Sequence, residues 1–181
     1  MGEPEPCPCE NKTPPTSPGP VEDQEPLVRF VEDKGHIGKD GSGQLYLLPA
    51  AIRKDDIQGK KGRSFSLARE AHADRYDLER RAAARADEEW KRNPVFARTR
   101  AERLRAIKDG AKRREVCVFS DPTPPTGDFG AFPAHASAVR SDPPKDDKLR
   151  QHWLQLRTDV GACFDDIRHA DGSPATVQTQ P

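Results

Sequence analysis

The side chains best suited to chemistry gather in and around one stretch, Arg114–Ser141, which reads REVCVFSDPTPPTGDFGAFPAHASAVRS. His135 is a proton carrier that works near neutral pH. Asp121 and Asp128 precede it on the same loop, and either carboxylate could orient an imidazole. Arg140 follows it, and Arg29 stands in an early apolar run; a guanidinium at such a place can clamp a phosphate or carboxylate. Those groups would make a small hydrolase or transferase, in which His135 moves a proton, a carboxylate holds the ring and arginine holds the anion. The same loop carries Phe129 and Phe132, which as exposed rings would anchor a protein partner instead.

A third chemistry lies just upstream. From Arg98 to Arg114 eight bases face two acids, a local charge of +6, and Arg98, Arg105 and Arg113 could follow a phosphate backbone. Phe96 is the one aromatic at hand, too little for a base-stacking platform, so only weak, salt-sensitive nucleic-acid contact is expected. A polar tail, a charge-patterned helix and a proline-rich loop suit protein contacts better. The leading expectation is therefore an interaction or accessory protein that captures a partner through residues 121–135. The enzyme reading comes second and the nucleic-acid reading third.

Positioning these groups requires a buried strand, Glu115–Phe119, stopped by Ser120-Asp121-Pro122 because proline cannot donate to a ladder. A loop with four prolines and two glycines follows, and a second strand enters through Pro133-Ala134-His135-Ala136. Upstream, Leu27–Val31 and Gln44–Leu48 read as the two strands of a hairpin with a long glycine-rich connection. Arg29 is expected at a sheet edge, reaching solvent, with an inward anion ligand as the rarer outcome. Gly41-Ser42-Gly43 precedes a strand rather than a helix, so it is a turn and not a phosphate loop.

Leu78, Ala82, Ala86 and Trp90 recur every four residues, which predicts a long helix over 67–92, opened by Ser66 and ended by Asn93-Pro94; Ser64-Phe65-Ser66-Leu67 also reads as a short strand. Neither Ser64 nor Ser66 lies in a nucleophile elbow. Thr99 and Glu102 have the spacing of a capping box for a second helix to about Lys108. A third begins at Lys148, with Leu149, Trp153 and Leu156 on its buried face. This mixture predicts an α+β fold: a small, mostly antiparallel sheet covered by about three helices.

Composition sets the limits. Apolar and charged residues each make up 33% of the 181, so the core must be modest. Residues 1–26 hold eight of the 18 prolines and a net charge of −5 up to Glu25, and are expected to form a disordered acidic tail dispensable for folding. Residues 171–181 look similarly loose, leaving one domain over 27–170. No leader and no apolar run of membrane length is present, which makes the cytoplasm the expected location. Of four cysteines, Cys117 and Cys163 read as small buried hydrophobes, while Cys7-Pro8-Cys9 lacks the second unit of a zinc site. Neither a metal nor a cofactor is expected, and no repeat, heptad or family signature stands out.

Overall fold

The computed structural model describes Cys7, Glu10 and residues 13–59, 63–141 and 150–175. Among them the chain runs β1 (Pro26–Val31), β2 (Ile37–Lys39), β3 (Leu45–Leu47), α1 (Lys54–Ile57), β4 (Phe65–Arg69) and α2 (Arg75–Ala83). It continues as β5 (Val95–Arg100), α3 (Ala101–Arg105), β6 (Val116–Ser120), β7 (His135–Arg140), α4 (Arg150–Ala162) and β8 (Asp166–His169). Six strands form one sheet in the order β6-β7-β4-β1-β5-β8, and β2 and β3 pair separately. Each ladder is antiparallel. The α+β class is thus as expected, with four helices of which α2 and α4 are the long ones.

Alternation explains the two faces. Leu27, Val31, Phe65, Leu67, Val95, Ala97, Val116, Val118, Ala136 and Ala138 point to one side and form the main core with Trp153, Leu156 and Val160 of α4. Trp153 and Leu156 belong to the buried face read from the sequence, which Val160 continues; Leu149 lies outside the described residues. Gly161 lets α4 come down onto β3, since a Cβ there would sit 2.1 Å from the Leu47 carbonyl oxygen. On the other side Val28, Ala68 and Phe96 pack with Leu78 and Ala82 of α2, Phe132 and Ala134.

Three expectations about elements change. The long helix shrinks to α2, capped by Asp74, whose carboxylate accepts from the Asp77 amide at 2.9 Å. Its predicted start belongs to β4, in line with the strand reading of Ser64–Leu67, with Phe65 and Leu67 in the main core and Ala68 on the opposite face. Leu78, Ala82, Ala86 and Trp90 are all buried as the stripe implied, but Trp90 ends a separate turn of 3₁₀-helix. The capping box is absent: Arg100, not Thr99, precedes α3, because Val95–Arg100 has become β5. The hairpin over 27–48 is not made either. β1 lies between β4 and β5, and β3 pairs with β2.

The acidic N-terminal segment, in its described part, is folded onto the sheet rather than loose. Cys7 is bonded to Cys117 of β6, so that cysteine is half of a disulfide and not a free buried thiol. Glu10 accepts from Arg105 Nε at 3.0 Å, from Arg114 Nη1 at 2.7 Å and from the Val118 amide at 2.8 Å. Glu25 grips Arg69 by two bonds, 2.6 and 2.8 Å, with both side chains almost wholly buried. Proline density spoke for disorder, but buried ion pairs and a covalent link supply what the missing apolar residues do not. At the other end Ala175 is buried and Arg168 bridges to Pro174, so 171–175 are part of the fold. No helix among the described residues is long and apolar enough to cross a membrane.

Candidate active site

β1 and β5 are paired along all six residues of β1, whereas β1 and β4 are paired only at Leu27↔Arg69 and Val28↔Ala68. Beyond Val28 the two central strands part. Arg29 fills the split, donating from Nη1 to the Ser66 carbonyl at 3.1 Å and lying 4.8 Å from the Phe65 ring centre. The edge position expected for Arg29 is therefore replaced by a central one. A cavity of about 550 Å³ opens there, walled by β1, β4, α1, α2, His135 and the start and end of the loop from Asp121.

That loop is not structureless. Thr123 and Phe132 exchange backbone hydrogen bonds, as do Thr126 and Phe129, and the Asp121 amide donates to the His135 carbonyl at 3.0 Å. It extends the β6–β7 hairpin over a turn at Gly127, whose φ of 56° suits glycine. The tight return explains how Asp121 and His135 come to lie side by side. His135 Nδ1 is 2.6 Å from the Asp121 carbonyl oxygen and 3.8 Å from its Oδ2. A carbonyl only accepts, so Nδ1 carries the proton and the neutral ring keeps its lone pair on Nε2. Nε2 has no hydrogen-bond partner among the described residues. Burial pushes the imidazole pKa below its ordinary value, helped by Arg85 and Arg29 and opposed by Asp121. His135 is thus a neutral base held by its other nitrogen.

Five arginines line the cavity (Arg29, Arg53, Arg63, Arg81 and Arg85) against three carboxylates, Glu32, Asp56 and Asp121. The surplus is two positive charges. Arg81 is occupied, with Nε on Asp77 Oδ2 at 2.7 Å and Nη2 on the Gly130 carbonyl at 2.8 Å. Arg63 comes only to 4.0 Å from Asp55. Arg29, Arg53 and Arg85 form no ion pair within that range among the described residues. Burial is the chief cause lowering the Arg29 pKa, with Glu32 and Asp56 opposing and Arg85 and Arg53 adding to it. A half-buried guanidinium without its own carboxylate, with exposed Arg53 and Arg85 beside it, is a seat for an anion.

Of the residues named from sequence, His135, Asp121, Arg29 and Phe132 line this one cavity. Asp128 does not; it is exposed at the loop tip, and its carbonyl accepts from Arg80 at 3.4 Å. Arg140 is also elsewhere, bonded through Nε to Glu115 at 3.0 Å and stacked on Trp153. Phe132 is buried, and half-buried Phe129 lies under the guanidinium groups of Arg80 and Arg81. The basic segment is largely countered from within: Arg98 meets Glu70 at 2.9 Å, Arg105 meets Glu10 and Asp23, and Arg113 meets Asp109 at 2.8 Å. Sequence reading missed Arg53, Arg85, Glu32 and Asp56. They come from separate turns and helix ends, and no periodicity connects them.

The described residues hold no group of three or more His, Cys, Asp or Glu fit for a metal ion. No protein-family model matches the chain, no curated protein is significantly similar to it, and no solved structure matches it.

Proposed function

We propose that the protein is a small enzyme, a hydrolase or transferase, acting on an anionic small molecule. His135 Nε2 takes a proton from the attacking group, Asp121 fixes the ring through its carbonyl, and Arg29 holds a phosphate or carboxylate with Arg53 and Arg85 beside it. The observation that carries this reading is the convergence of a neutral histidine and an arginine without a carboxylate partner on one cavity. Capture of a protein partner through residues 121–135 has less support, since Phe132 is buried and Phe129 is covered by two arginines.

Titration of inorganic phosphate into the full chain tests the anion site. Arg29→Met should weaken binding by roughly ten- to a hundredfold, the worth of a hydrogen bond to a charged group. A panel of phosphate and carboxylate esters then tests the chemistry: His135→Gln should abolish turnover and leave phosphate binding intact. Wild-type protein that fails to bind phosphate, or His135→Gln protein that turns over as well as wild type, would overturn the reading.

A further inference from the structure

A chain of hydroxyls runs into the same cavity. Ser137 of β7 is fully buried and donates to Asp121 Oδ2 at 2.5 Å. The carboxylate only accepts, so the single Ser137 proton is committed to it. Ser64, which lines the cavity just before β4, has its oxygen 2.6 Å from the Ser137 oxygen. The proton between these two must then come from Ser64. Its hydroxyl hydrogen is turned inward, and what it presents to the cavity is lone pairs alone.

The cavity is therefore divided by kind. Arg29, Arg53 and Arg85 offer donors for an anion, while Ser64, His135 Nε2 and Asp121 offer acceptors. A simple carboxylate would satisfy the first group and leave the second without donors; inorganic phosphate brings P–OH donors, but on the same atoms that the arginines hold. An anion whose carbon skeleton bears hydroxyl groups would satisfy both. We propose that the ligand is a phosphorylated polyol, its phosphate on the arginines and one of its hydroxyls donating to Ser64. This rests on the anion-site reading above and adds the chemical class.

Calorimetric titration of the full chain with inorganic phosphate, glycerol 3-phosphate, ribose 5-phosphate and adenosine 5′-monophosphate tests it. A polyol phosphate should bind about tenfold tighter than inorganic phosphate, the worth of one well-placed hydrogen bond in a site built for it. Ser64→Ala should erase that preference while leaving phosphate affinity unchanged, and the unchanged phosphate affinity reports that the variant is folded. Ser64→Thr, which keeps the hydroxyl, should restore it. Preference for the nucleotide names a nucleotide as source; preference for ribose 5-phosphate or glycerol 3-phosphate names a free one. If phosphate binds but no hydroxylated phosphate binds better, or if Ser64→Ala keeps the preference, the polyol proposal is overturned and the anion site stands. If phosphate itself does not bind, both fall.

Discussion

Arg69 and Arg29 stand on adjacent strands of one sheet, the first buried and the second half-buried, in opposite electrostatic circumstances. Arg69 has a bidentate carboxylate, Glu25, and further acceptors in the carbonyls of Gly19 and Pro20. Arg105, Arg114 and Arg140 are treated alike, each meeting Glu10 or Glu115. Arg29 has a single carbonyl. A chain of zero net charge has thus matched its cations at the β6 end and left some unmatched at the β1/β4 split. Matching serves the fold, and lack of it marks a place where the counter-charge comes from outside.

Deleting residues 1–25 would break this contrast most severely. It removes Glu10, Glu25 and Cys7 together, leaving Arg69 buried without its carboxylate. The expected loss is on the order of the whole stability of a domain, about 5–15 kcal/mol. A truncated chain melting within about 5 °C of the full one would show that the segment is no part of the fold. Glu25→Gln isolates one element of that loss: about 3–5 kcal/mol in denaturant unfolding, because it strands a buried charge. The disulfide comes next. Cys7→Ser should lower stability by about 2–4 kcal/mol, and the same should follow on reduction of the native protein. Disulfides persist in oxidising surroundings, so this bond sits uneasily with a cytoplasmic location.

Arg29→Met sharpens the comparison from the other side. Removing an unmatched, half-buried charge for an apolar chain of like length should leave stability unchanged or slightly raised, where Arg69→Met would strand Glu25. A fall of several kcal/mol for Arg29→Met would place Arg29 among the structural arginines.

The smallest effect is that of pH. The folded pKa of His135 lies below the ordinary 6.5, so between the two values the unfolded chain binds a proton that the folded chain refuses. Its contribution to stability is complete above 6.5 and falls away as the pH drops toward the folded value; His135→Gln should flatten that slope. The acid limb of any activity should likewise lie below the usual histidine range.

Much of the site was legible in sequence because it depends on neighbours along the chain. β6, the proline-rich return and β7 follow directly from a β-branched run, its stop and its restart, and that hairpin alone brings Asp121 to His135. Burial of Trp90 and Trp153 was equally readable from spacing. Elements decided by distant partners were not. In β5 the alternation of Val95, Ala97 and Thr99 was present, but Arg98 and Arg100 on the opposite face spoke for solvent, and only Glu70 and Gln24, far away in the chain, explain where those arginines go. The period-four stripe misled because Leu78 and Ala82 bury against Phe96 and Val28 while Ala86 and Trp90 reach the other core through a turn. Cys7 and Cys117 are 110 residues apart, and nothing local joins them.

That bond also divides the chain into a covalent ring and an open arm. Everything from Cys7 to Cys117 is closed on itself, while the loop from Asp121, β7, α4 and β8 trail from it. A cut in the ring, at the exposed Asp40–Gly43 turn for example, leaves one covalent molecule until a thiol is added. A cut at the exposed loop tip around Asp128 yields two pieces at once, with Asp121 left on the piece that carries the ring and His135 on the piece released. The pair that holds the imidazole in place is thus the pair that such a cut parts.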